Sequence, residues 1–268
     1  MFSRKIIFIT FFILISSITS CSSTMQSENN PKIVAHRGKA CGYPENSLSG
    51  FKQVLRNGVD YIEIDVRTTS DGILVILHDG RLNRTTRSKG QIKDLSFREL
   101  QQVTLKRKFR GNKNEKIPTL EQVCKLISAH NHSNNKPVNL YVDCKDADPV
   151  KLINILEKYD LKNEAVFYGS DSYLKKLREV MPNSRIIPAL KSMDELEKKL
   201  EDLSPYGFDT KWKILNGLTV KQIHAKNVKI YTDLLFINDR RSNYKKAQKW
   251  GVDAIQTDRM KKAKKAFR

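Results

Sequence analysis

From residue 32 onward this chain alternates short apolar runs with longer stretches of helical periodicity, and that rhythm restricts its possible folds more than any other feature. Strand-length runs stand at 32–36, 61–67, 138–144, 165–169, 185–189, 206–210, 228–232 and 254–257. Between most of them, at 47–56, 149–159, 172–181, 193–203, 218–226 and 244–250, apolar residues recur three or four apart, as on one face of a helix. Crossovers of that length join parallel strands, and eight parallel strands are what a closed barrel requires. The expected fold class is therefore α/β, a (β/α)8 TIM-type barrel, with an open doubly wound sheet as the alternative.

Two segments break the rhythm. The run 73–77 follows 61–67 across Ser70-Asp71-Gly72, a gap too short for a parallel crossover, so the two should pair as an antiparallel β-hairpin arm. Such a hairpin folds His78 back to about the level of Glu63. Residues 81–119 read as a small insertion over the strand ends with one short helix near 97–103. Asn46 is the expected N-cap of the first helix.

The polar residues near the strand ends fall into four runs: Val34-Ala35-His36-Arg37-Gly38, Pro44-Glu45-Asn46, Glu63-Ile64-Asp65 and His78-Asp79. Glu63 and Asp65, two apart on a strand, face the same way, and Asp143 ends the next barrel strand with Lys145 on the same face. Three clustered carboxylates repel, and a hard divalent cation is the natural relief. Three surface acids satisfied by lysines are the bland alternative, which the nearby histidines weigh against. An all-oxygen ligand set favours Ca2+ or Mg2+ over zinc or copper. His36 and His78 can move protons near neutral pH, and Arg37 and Lys145 can meet a phosphate, although either could instead be an ion-pair partner of Glu45. His130 and His132, read in a polar loop, and His224, on a helix, need no role beyond the surface. Cys41, Cys124 and Cys144 have neither metal-site spacing nor a disulfide framework, and Cys144 should point away from Asp143 and Lys145, toward the helices.

In order and spacing these runs resemble the glycerophosphodiester phosphodiesterase family, as do Leu82-Asn83-Arg84-Thr85-Thr86, Gly90-Gln91-Ile92 and the closing Gly251-Val252-Asp253-Ala254-Ile255-Gln256-Thr257-Asp258. The resemblance implies metal-dependent hydrolysis of glycerophosphodiesters to glycerol 3-phosphate and an alcohol. It implies Glu63, Asp65 and Asp143 as metal ligands, Asp143 standing where the family usually has Glu. By the same resemblance His36 and His78 are the catalytic acid and base, in an order left open, acting through a cyclic phosphate. Arg37 and Lys145 would bind the phosphate, with Glu45 in support. Tyr231, in Tyr231-Thr232-Asp233-Leu234 where the family often has Trp-Thr-Val-Asn, would wall the glycerol. Two alternatives stand beside this one: a lysophospholipase D-like enzyme on membrane lipid, and a binding lipoprotein without turnover, raised by Asp143 and the altered seventh strand.

The N-terminus carries an address. Arg4 and Lys5 precede an apolar run at 6–15, and Ile18-Thr19-Ser20-Cys21 resembles the lipobox of bacterial lipoproteins. Residues 1–20 are accordingly expected to be a signal peptide, 21–31 a polar tether acylated at Cys21, and 32–268 the phosphodiesterase barrel, held outside the cytoplasm at the cell envelope. A plain secretory signal is the alternative. The chain has a net charge of +20, falling to +18 without Arg4 and Lys5. Such a surface attracts polyanions; with a lipid anchor the expected partner is the membrane, and because no nucleic-acid motif accompanies the charge, none is expected there. In a bacterial host, wild type should partition into the detergent phase and incorporate fatty acid while Cys21→Ser does neither; aqueous partition of both would identify a plain signal peptide.

Overall fold

The computed structural model describes residues 30–106 and 108–268; the leader, Cys21 and most of the tether lie outside them. The first unit comprises β1 (Lys32–Ala35), α1 (Leu48–Asn57), β2 (Tyr61–Thr68), β3 (Leu74–Ile76), the short α2 (Phe97–Leu100) and α3 (Leu120–His132). There follow β4 (Asn139–Cys144), α4 (Pro149–Lys158), β5 (Val166–Tyr168), α5 (Asp171–Val180), β6 (Arg185–Ile186), β7 (Ala189–Leu190) and α6 (Leu196–Leu203). The chain ends with β8 (Gly207–Thr210), α7 (Gly217–His224), β9 (Lys229–Asp233), α8 (Arg241–Trp250), β10 (Ala254–Thr257) and α9 (Met260–Phe267).

The sheet runs β6-β5-β4-β2-β1-β10-β9-β8-β7, parallel throughout, with β3 paired antiparallel to β2 off this path. Its two ends are one segment, since only Ile187 and Pro188 separate β6 from β7. Proline has no N–H to give a ladder, and the regular pairing lapses there. Ile187 N still donates to Phe167 O on one side, while Tyr206 N and Asp209 N donate to Ile186 O and Pro188 O on the other. Residues 185–190 thus occupy a single position, and the sheet closes into the (β/α)8 barrel.

Strand alternation sorts the side chains. Ile62, Ile64, Val66, Leu140, Val142, Cys144, Phe167, Phe208, Ile230 and Ile255 face outward and are buried beneath the helices. Facing inward, Val34, Tyr61, Tyr141, Val166, Ile187, Tyr231 and Ala254 fill the lower barrel. Two residues further along the same strands the lining turns polar, with His36, Glu63, Asp143, Asp233 and Gln256. Active sites in such barrels lie at this end.

The hairpin forms as expected, with Val66 opposite Ile76 and Leu77 N donating to Asp65 O at 3.0 Å. The insertion closes over a small core of its own, including Val75, Leu82, Ile92, Leu100 and Ile117. Three expectations need correction. Residues 120–132 are helix α3, opened by a Thr119–Gln122 capping box, so His130 and His132 stand in its last turn rather than in a loop. Residues 260–267, for which no element is expected above, are helix α9, which buries Met260, Ala263 and Ala266. The cap of α1 is Ser47, whose side chain accepts from Gly50 N; Asn46 is freed for another task.

Beyond β1 the chain turns sharply through His36–Gly38, with Arg37 at φ 52° and Gly38 at φ 54°. A Cβ on Gly38 would lie 2.1 Å from Phe51 Cδ1. Gly38→Ala should therefore destabilise the protein by about 2–4 kcal/mol in denaturant unfolding, from positive φ and overpacking together; an unchanged midpoint would contradict this account of the turn.

Candidate active site

Asp65 on β2 and Asp143 on β4 stand side by side in register, and Glu63 sits one inward position earlier on β2. One carboxylate oxygen from each lies within 4.8 Å of the other two, and among the described residues no other trio of His, Cys, Asp or Glu converges in this way. Glu63 and Asp65 are buried. Burial first, then the charges of Asp65 and Asp143, pushes the Glu63 carboxyl well above the ordinary range; burial likewise raises Asp143 against the pull of Lys145. Glu63 accepts from Arg37 N, and Asp65 Oδ2 accepts from Asn46 Nδ2 at 2.8 Å. Lys145 Nζ is hydrogen-bonded to Asp143 and lies 3.2 Å from Asp65 Oδ1, which, like Asn46 Oδ1, is buried without a hydrogen-bond partner. Hard oxygens under mutual repulsion, with two buried acceptors unspent, fit a divalent cation.

Both histidines are held alike. His36 is buried, and its Nδ1 meets Asp258 Oδ1 at 2.8 Å. His78 Nδ1 meets Asp79 Oδ1 at 2.6 Å, and Arg67 clasps the His78 carbonyl through Nε and NH2 at 2.9 and 2.7 Å. A carboxylate on Nδ1 fixes the tautomer and presents Nε2 for proton transfer. Hydrogen bonds from Arg84, and also from His78, hold Asp79 down at about 2. Burial works to raise Asp258, but His36 and Lys39 outweigh it and keep its carboxyl low. Both aspartates thus stay charged at neutral pH.

Glu45 is the hinge of the basic groups. It accepts from Arg37 NH1 at 2.9 Å and from Arg84 NH1 and NH2 at 3.0 and 2.7 Å, and Arg84 continues to Asp79. Burial alone would raise the Glu45 carboxyl; Arg84 and Arg37 lower it instead. Arg37 Nε stands 3.6 Å from Asp65 Oδ2, too far for a hydrogen bond, so part of its guanidinium remains uncommitted.

Tyr231 must be corrected. Its ring is buried in the lower barrel layer, with centroids 6.2 Å from Tyr61 and 6.1 Å from Tyr141, and so it does not wall the mouth. The reason is strand periodicity: the next inward residue on β9, Asp233, is the one at the mouth. Trp212 and Phe236 stand there instead and with Asp209, Asp233 and Lys211 line a cavity of about 300 Å3, while Tyr168 faces inward level with Asp143. Burial raises both Asp209 and Asp233, and Tyr141 donates to Asp209 Oδ2. A larger cavity, about 600 Å3, opens at the far end of the barrel, but its histidine, His224, is tied to Asp253 and no carboxylate trio borders it.

Asn46, Asp258, Asp79 and Arg84 all lay inside runs quoted from the sequence, yet their tasks are visible only in three dimensions. Asn46 reaches Asp65 because its own backbone, at φ 52°, turns its side chain under the site. Asp258 meets His36 across 222 residues of chain, where β10 pairs with β1.

The glycerophosphoryl diester phosphodiesterase family model matches residues 36–262. A glycerophosphodiester phosphodiesterase of Caldanaerobacter subterraneus subsp. tengcongensis is 28% identical over 84% of this chain and 93% of its own length. One from Bacillus subtilis is 26% identical over 87% of this chain and 86% of its own. Among solved structures, an Oleispira antarctica phosphodiesterase in complex with the product sn-glycerol-3-phosphate superposes with a TM-score of 0.77 at 25% identity, covering 88% of this chain and 96% of that one. A match that spans both histidines, all three clustered carboxylates and Asp258 leaves one assignment: the chain belongs to the glycerophosphoryl diester phosphodiesterase family.

Proposed function

We propose that this chain hydrolyses glycerophosphodiesters to glycerol 3-phosphate and an alcohol at the mouth of its barrel. The observation that carries the reading is the carboxylate trio Glu63, Asp65 and Asp143 set among two histidines that each spend Nδ1 on an aspartate. A Ca2+ or Mg2+ ion held by Glu63, Asp65 and Asp143 would supply Lewis-acid polarisation of the phosphate. The uncommitted edge of Arg37 meets a nonbridging oxygen, and Glu45 fixes the angle of approach. Lys145, which here neutralises Asp65 and Asp143, is free to turn toward the phosphate once those acids are otherwise balanced.

Proton movement falls to the histidines. One Nε2 takes the proton of the attacking hydroxyl as its oxygen bonds to phosphorus; the other gives a proton to the alkoxide as the phosphorus–oxygen bond to the leaving alcohol breaks. If the glycerol hydroxyl attacks first, the roles reverse when water opens the cyclic phosphate. Asp258 and Asp79, both kept ionised, stabilise whichever imidazole is carrying charge. The lipobox-like run ending at Cys21 supports a lipid-anchored enzyme in the bacterial envelope, with the barrel outside the cytoplasm.

Phosphorus NMR with glycerophosphocholine should show glycerol 3-phosphate as product, lost after exhaustive EDTA dialysis and restored by Ca2+ or Mg2+; full turnover with metal confirmed absent would overturn the metal assignment. His36→Ala and His78→Ala should each lower kcat by roughly a hundredfold or more with the fold intact by circular dichroism, since general acid–base transfer contributes about that much. Asp258→Asn should lower kcat with little change in KM and shift the pH profile, because it acts through His36; a proportionate rise in KM alone would make Asp258 structural.

A further inference from the structure

Isolated apolar residues on a surface need no explanation, but their distribution here does. Among the described residues four large apolar side chains are more than seventy per cent exposed: Phe109, Leu218, Phe236 and Ile237. All four stand at the end of the barrel where the strands finish. Phe236 and Ile237 follow β9 and border the mouth cavity through Phe236; Leu218 lies in the first turn of α7, after β8. Phe109 belongs to the insertion and lies over Gly42 in the loop that leads to α1.

The exposed charge in the segments that carry them is of one sign. Lys211, Lys213 and Arg240 in the same two loops and Arg241, the first residue of α8, are exposed, and the single acid of those loops, Asp239, is buried against Tyr244 and Thr257. Lys108 and Arg110 flank Phe109. Apolar tips ringed by lysine and arginine fit a surface that is anionic outside and hydrocarbon within, which protein partners seldom are. The chain's +20 charge adds attraction at longer range.

We propose that the mouth end of the barrel docks on an anionic lipid bilayer, with Phe236 and Ile237 inserted between headgroups and the flanking lysines and arginines on lipid phosphates. The proposal goes beyond the catalytic reading and does not depend on it. It is also compatible with a lipid on Cys21, because residues 21–30, fully extended, span roughly 33 Å, more than the roughly 20 Å of a thirteen-residue helix such as α3.

The test reads local environment, so a bound leader does not obscure it. In the full chain carrying Cys21→Ser and Cys41→Ser, the remaining cysteines are buried and a new thiol can be labelled alone. Ile237→Cys and, as a reference at the far end of α5, Val180→Cys are each coupled to an environment-sensitive fluorophore. Vesicles of phosphatidylglycerol and phosphatidylcholine should shift the emission at position 237 to the blue and leave position 180 unchanged. Adding Lys213→Glu with Arg241→Glu should raise the lipid concentration needed by roughly tenfold or more, as loss of two basic headgroup contacts implies. No shift at 237, or an equal shift at 180, overturns the proposal. So does a vesicle-independent shift that grows with protein concentration, which would mean that a second copy covers the patch.

Discussion

Like charges confined in a dry space set the terms for everything around them. Glu63, Asp65 and Asp143 meet where the barrel is closed to water on most sides, and repulsion between ionised carboxylates there is far stronger than in solvent. The surroundings answer with positive charge and donors. Lys145 stands against two of the acids, Arg37 N and Asn46 Nδ2 donate to Glu63 and Asp65, and the Arg37 guanidinium approaches from the side. That guanidinium is in turn balanced by Glu45, which also binds Arg84, which binds Asp79, which holds His78. One continuous chain of opposite charges links the trio to a proton-transfer group, so none of these residues can be neutralised without disturbing the next.

The fold was legible because a barrel strand needs only a short apolar run and a helix only a periodic stripe, and both survive in a single sequence. The hairpin arm was readable from the same logic, since chain length alone forbade a parallel crossover between β2 and β3. Helix α3 is not legible although Leu120, Val123, Cys124 and Ile127 carry the right spacing, because the His and Asn residues at its end look like a loop. Helix α9 was hidden by its lysines, whose charged ends reach water while Met260, Ala263 and Ala266 pack beneath.

At the site, residues two apart on a strand could be paired from sequence, and Glu63 with Asp65 needed nothing more. Tyr231 shows the limit of that rule. Periodicity says which side of the sheet a residue faces but not how far up the barrel it lies, and one layer separates a packed tyrosine from the mouth. Partners brought together by strand order, such as Asp258 with His36, have no local signature at all.

Pro188 gives the barrel a seam. On either side of it β6 and β7 contribute two residues each to regular pairing, fewer than any other strand. If the barrel breathes, the ladder parts there first, since local opening begins where backbone bonds are fewest. Strand order puts β4, β2, β1 and β10 well away from it around the ring. The carboxylate trio is thereby mounted on β2 and β4, which share the longest ladder of the wall, six residue pairs against two on each side of the seam, and the slack of the closed cylinder is taken up away from it.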